Sequence, residues 1–262
     1  MKSLSALFVF SLIAIKSIYA QGEIDTQKEY FYKDERTWSG HIRANGIGGT
    51  YRYAKRIDGF RKTLYLVQFD HIKDKKEKRI TTLSTYKTFV YGKLNYFYSL
   101  KGGIGLQREL FSKHDVGSVS IRYFYTFGFS LGVLKPIYYD VYDALNSENT
   151  TIKFDESAHL GTDQFYGKAS YLKGIDETTV IPGGFGKAGV TFEYSKQATK
   201  FNAIEVGFQF EAYMKRVPIM FSENPQNNQY MFPSIYLALR FGKVIDSHFK
   251  GGENKVDRLL TD

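Results

Sequence analysis

Five histidines, His41, His71, His114, His159 and His248, are the residues whose chemistry would first suggest an enzyme. A lipid hydrolase at a membrane rim needs a nucleophile, a base within about 3 Å of it and a third group to orient that base. His41 has Ser39 two residues before it, a spacing that puts both side chains on one face of an extended strand. The other histidines fall on different strands, turns or the tail, and no His-Glu-x-x-His zinc motif occurs. A lone inward histidine is more often part of a polar network than a base. No catalytic or metal-binding residue is therefore assigned, and a lipid-modifying hydrolase stays only as an alternative. Gly161, Gly167 and Gly174 lack the strand-to-helix setting of a nucleotide loop, so no cofactor is expected.

Charge is the second source of chemistry. Lys73, Lys75, Lys76, Lys78 and Arg79 form a basic run. In an outer loop such a run contacts lipopolysaccharide phosphates; a solvated loop is the plainer alternative. The formal net charge is +9, but basic residues are spread along the chain and mixed with acids, so nucleic acid is not an expected partner. A further set sits on the polar faces of the predicted strands: Arg43, Arg52, Lys101, Arg122, Lys187 and Arg240, with Asp70, Glu109, Glu193, Glu205 and Glu211. Across a narrow lumen these opposite charges are placed to pair.

The elements that position these groups are strands. From Val119 to Val133 the odd positions are all apolar or aromatic, and the even positions are small or polar except Phe124. Alternation of period two over this length predicts a strand of about 50 Å, or about 35–40 Å of height when tilted near 40°. The pattern recurs, and eight strands are predicted: 38–45, 47–57, 60–72, 94–110, 116–141, 185–196, 201–217 and 229–243. Asn45-Gly46 is read as the turn of the first hairpin, with one long bulged strand as the alternative. Short and long connections then alternate, as in an outer-membrane barrel with periplasmic turns and outer loops. Residues 80–92 and 160–172 leave ten strands open. The fold class is all-β, an antiparallel up-and-down transmembrane barrel. With 21 Tyr, 22 Phe, 24 Gly, five Pro and no Cys among 262 residues, composition agrees. The charged inner faces favour this sidedness over a soluble barrel.

At Tyr91–Asn95 and Arg122–Tyr139, above all Gly128–Pro136, the sequence resembles outer-membrane barrel proteins of Bacteroidota-type bacteria. That resemblance implies a compartment and a fold, with no activity to carry over. Lys2, the apolar run Leu4–Ile15 and Ala20 before Gln21 read as an export signal over 1–20. A periplasmic segment over 21–36, a barrel over 37–243 and a periplasmic tail over 244–262 complete the expected organisation. A small barrel is filled by its own side chains. The expected function is thus a structural or accessory subunit of an outer-membrane assembly of the secretion or barrel-insertion type. A small channel is the other alternative. Expected partners are outer-membrane lipid, including lipopolysaccharide, and other outer-membrane or periplasmic proteins.

Overall fold

The computed structural model describes residues 33–81, 87–112, 118–143, 148–154, 164–197, 199–222 and 224–246. The expected export signal, residues 21–32 and the tail from 247 onward lie outside them, as do His114, His159 and His248. In chain order the strands are β1 (Lys33–Arg43), β2 (Gly46–Arg56), β3 (Arg61–Ile72), β4 (Arg79–Thr81), β5 (Thr88–Val90), β6 (Asn95–Phe111) and β7 (Ser120–Pro136). They continue as β8 (Tyr138–Asp143), β9 (Glu148–Lys153), β10 (Phe165–Lys168), β11 (Thr179–Glu193), β12 (Lys200–Tyr213) and β13 (Met231–Asp246).

Eight of these close into one antiparallel barrel in the order β1-β13-β12-β11-β7-β6-β3-β2. Lys33 to Arg43 pair with Asp246 to Tyr236, so first and last strands seal the ring and no edge is left open. The eight-strand expectation holds and the ten-strand one does not. β4 and β5 form their own two-stranded sheet, and β10-β8-β9 form a three-stranded sheet outside the barrel. Among the described residues no helix is long and apolar enough to cross a membrane; here the strands cross.

Alternation sets the sidedness. Phe127, Phe129, Leu131, Val206, Phe208, Leu237 and Leu239 point outward and are exposed, while Thr126, Ser130, Gln209 and Arg240 between them are buried in the lumen. In a bilayer the outward set meets hydrocarbon, and ring closure leaves the barrel no open edge. Aromatic pairs mark two levels of the belt: Tyr53 stacks on Tyr65 at 6.3 Å between centroids, and Phe69 on Tyr98 at 5.7 Å. Leu64 and Leu66, which blur the alternation of β3, are buried. Leu64 joins Ala54, Phe124, Tyr236 and Ala238 in an apolar cluster inside the barrel.

Several boundaries differ from the sequence expectation. The first hairpin turns at Ala44-Asn45, because Arg43 pairs with Gly46. Gly46 is needed for close approach, since a Cβ there would lie 2.1 Å from the His71 carbonyl oxygen. β1 starts at Lys33, inside the segment expected to precede the barrel. β7 stops at Pro136, which has no N–H for a further rung, and β8 leaves for the outer sheet. β12 ends at Tyr213, and Val217 and Ile219 in the connection beyond it are buried.

One packing detail fixes the lumen. Gly189 faces Gly207 across β11 and β12, and Tyr236 follows on β13. A Cβ on Gly207 would sit 2.6 Å from the Tyr236 hydroxyl and 2.3 Å from the Ala188 carbonyl oxygen. The two glycines make the floor on which the tyrosine lies. Gly207→Ala should therefore destabilise the barrel by about 1–3 kcal/mol through overpacking, read as a lower urea midpoint in lipid vesicles. An unchanged midpoint would show that Tyr236 shifts freely.

Candidate functional site: a filled lumen beneath a folded outer face

The inward charges gather in three tiers. Nearest the outer end, Asp70 receives Arg43 at 2.6 Å, His41 at 2.6 Å, Gln68 at 2.8 Å and also Lys101. Glu211 takes the other face of the same cations, Arg43 at 2.6 Å and Lys101 at 3.1 Å, with Tyr213 at 2.8 Å. In the middle tier Glu205 holds Arg52 at 3.0 Å, Arg240 at 2.9 Å, Lys187 at 3.3 Å and the Tyr236 hydroxyl at 2.9 Å. Toward the periplasmic end Arg122 joins Glu35 at 2.7 Å, Glu193 at 2.6 Å and Glu109 at 3.9 Å, and Glu35 also binds Lys62.

The structure thus places Arg43, Asp70, Lys101 and Glu211 together, Arg52 with Glu205, and Glu109 and Arg122 with Glu193. Lys187 and Arg240 join the middle tier. Burying charge is costly unless each is paired and its remaining donors and acceptors are met, and here several strands supply those partners. Glu35 and Lys62 are the members that sequence reasoning missed. Glu35 lies in the charged stretch Lys33–Arg36, which shows no apolar alternation to mark it as strand. Phe124, the one apolar residue on a polar face, lies beneath the Arg52 guanidinium at 4.3 Å.

The outer mouth is capped. Val217 and Ile219, from the connection after β12, pack on Ile72, Phe97, Leu134, Ile181, Tyr213 and Phe232. Leu94 and Asn95 amides donate to the Ile219 carbonyl at 2.9 and 3.3 Å, which sews this segment to the start of β6. An apolar lid thus lies over the charge-paired lumen.

Beyond the lid, the long connections form a folded layer. Phe89 of β5, Ile137, Tyr139 and Val141 around β8, and Phe165 of β10 share a buried core, with Tyr91, Tyr96, Ile152 and Phe154 packed against it. The Tyr139 hydroxyl bonds the carbonyls of Val90 at 2.9 Å and Lys93 at 2.8 Å, tying two connections together. Burial pushes this phenol above its ordinary value, so it remains a donor. Tyr139→Phe leaves those carbonyls short of a partner, a cost of about 1–3 kcal/mol. Amide exchange over 88–95 should accelerate while the barrel strands stay protected; unchanged exchange would show that the core alone holds the layer. Among the outer aromatics, Tyr139 and Phe165 are core, Tyr138 donates to Glu177 at 2.9 Å, and Tyr171 meets Tyr98 at 3.0 Å.

Of the basic run, Lys73, Lys75 and Arg79 line a cleft at the outer rim; Lys76 and Lys78 are exposed outside it. His41 and Ser39 are buried in the lumen, and the imidazole Nε2 faces Asp70. The pentapeptide Gly128-Phe129-Ser130-Leu131-Gly132 has the Gly-x-Ser-x-Gly spacing of a hydrolase elbow, a match that reading by strand alternation passes over. It lies mid-strand in β7 with Ser130 buried, lacking the strand-to-helix turn that exposes a nucleophile. Among the described residues no group of three His, Asp or Glu side chains is arranged to hold a metal ion.

A closed antiparallel ring of eight strands, apolar outside and charge-paired within, defines a transmembrane β-barrel, and its place is the outer membrane. No protein-family model matches the chain, and no curated protein does. Solved structures that resemble it include Ail, the attachment invasion locus protein of Yersinia pestis, in complex with the heparin analogue sucrose octasulfate. That likeness has a TM-score of 0.39 and 6% identity, covering 82% of this chain and 99% of that one. Neisserial surface protein A follows at 0.36 and 8%, covering 82% and 96%. The N-terminal barrel domain of Pseudomonas aeruginosa OprF follows at 0.34 and 7%, covering 82% and 98%. The strand pairing above carries the fold assignment.

Proposed function

We propose that this protein is a non-enzymatic, non-conducting barrel that acts through its outer face, as an accessory subunit of an outer-membrane assembly. The observation that carries the reading is the contrast between the two compartments. The lumen is lined by ion pairs and covered by the packed Val217 and Ile219, whereas the connections are folded around a core of their own. Loops that only joined strands would not need Phe89, Tyr139, Val141 and Phe165 buried together. A rigid membrane base carrying an ordered layer suits presentation of a surface to a lipid or protein partner.

Two measurements test this. Purified protein in planar bilayers should give no unitary conductance. Extraction in mild detergent should retain a defined outer-membrane or periplasmic partner, and replacing residues 137–178 by a short Gly-Ser turn should release it while the barrel stays folded. Stable conductance steps would favour the channel alternative, and a partner-free monomer would remove the subunit role.

A further inference from the structure

At the outer rim, where the Ala44-Asn45 turn meets the chain leaving β3, a cavity of about 560 Å³ opens beneath the outer layer. Lys73, Lys75, Arg79, Lys93 and Lys168 line it, beside His71 and Tyr96. A second cavity of about 390 Å³ shares Asn45, Lys73 and Lys75 and adds Arg216 and Tyr230. Lys73 and Lys75 therefore form a ridge between two basins.

Little of this charge is neutralised within the fold. Lys93 is paired with Glu77 at 2.6 Å. Of the two acids in the wall, Asp74 accepts from the Lys76 amide at 2.8 Å, and Glu77, besides pairing with Lys93, accepts from the Asp74 amide at 3.2 Å. Among the described residues Lys73, Lys75, Arg79, Lys168 and Arg216 have no carboxylate within 4.0 Å. Burial, with the ammonium groups of Lys168 and Lys73, pushes the Lys93 amine below the ordinary lysine value despite Glu77. Cations crowded in a concave, partly desolvated wall focus a field that draws a multiply charged anion.

The neutral part of the wall narrows the ligand class. In the second basin Asn227, Asn228 and Gln229 present neutral amides that can meet ligand hydroxyls. Tyr96 and Tyr230 offer aromatic surface on either side of the ridge. Neutral amides, aromatic surface and two cationic basins suit a phosphorylated sugar better than bare polyphosphate, and the volumes lie in the range of ordinary ligand pockets.

We propose that the two basins form one site for a saccharide bearing two phosphate groups, one held by Arg79, Lys93 and Lys168, the other by Arg216, with Lys73 and Lys75 between. The site deepens the outer-face function proposed above and rests on it. Two sources offer this chemistry, the headgroup of a glycolipid in the outer leaflet and a soluble phosphosugar. The probes are glucose 1,6-bisphosphate, titrated into the full chain in zwitterionic nanodiscs, and bisphosphorylated lipid A compared with its dephosphorylated form, read as a shift in urea midpoint. Lys73→Ala and Arg216→Ala should each weaken the responding probe about tenfold, whereas Lys76→Ala and Lys78→Ala, outside both basins, should stay within about twofold. Saturable binding of the soluble probe with this pattern assigns a phosphosugar; stabilisation by lipid A alone, with the same pattern, assigns the headgroup. No response to either probe, or equal losses from all four substitutions, overturns the site. Lys73→Ala and Arg216→Ala lie outside the replaced segment 137–178, and conductance and partner retention of these two variants are read without either probe, so failure here is distinguishable from failure of the proposed function.

Discussion

Glu205→Ala should lower the stability of the barrel by about 3–5 kcal/mol, the cost of leaving buried charge without its partner. The single carboxylate of Glu205 faces Arg52, Arg240 and Lys187, and its side chain is fully buried. Removing it leaves three cations within one tier and also frees the Tyr236 hydroxyl. Arg240→Met should cost much less, because Arg52 and Lys187 still satisfy the carboxylate. The asymmetry separates a charge-compensated plug from generic packing, where the larger side chain would matter more. Urea unfolding in phospholipid vesicles measures both variants. Trp38, the one tryptophan, is 67% exposed on the outer wall and reports the transition. A loss below about 1 kcal/mol for Glu205→Ala would mean that water enters the lumen and screens the cations.

The second large effect concerns the outside of the wall. Phe129 is 84% exposed, lies near the middle of β7 and has Gly102 and Gly184 as its neighbours across β6 and β11. In hydrocarbon, Phe129→Arg should cost about 2–4 kcal/mol, as charge does at the midplane of a barrel. Met214 is as exposed, at 82%, but follows the end of β12 at the outer rim. Met214→Arg should therefore cost no more than about 1 kcal/mol. Depth, at equal exposure, is the variable under test. Urea midpoints of the refolded variants give the comparison. Equal effects at the two positions, or a gain from Phe129→Arg, would mean that water surrounds the wall.

Much of this architecture was legible in single strands. Val119 to Val133 places a side chain on alternate faces by backbone geometry alone, so face membership needs no knowledge of the neighbouring strand. The turns and long connections were legible for a related reason, because they interrupt that period. Legibility failed where the period carries no signal. Lys33–Arg36 is charged on both faces, so β1 could not be extended back to Glu35 from sequence. The turn at Ala44-Asn45 was displaced by one residue because Gly46 serves the approach of β3, a contact between strands rather than a local backbone preference.

The candidate site divides in the same way. Sequence placed Arg43, Asp70, Lys101 and Glu211 on inward faces, but only register decides that Arg43 and Lys101 meet at the Asp70 carboxylate. Register depends on hydrogen bonds between chain segments far apart in sequence, and the alternation of one strand does not specify it. The basic run was visible from Lys73 to Arg79, whereas the cleft needs Lys93, Lys168, Asn45 and Arg216 from four separate parts of the chain. Composition and period two determined that this chain would cross a membrane as strands, apolar outside and polar within, since each strand carries that information in itself. Tertiary structure alone decided that the charges of the lumen are paired and that the outer connections share a buried core, because those properties exist only between segments.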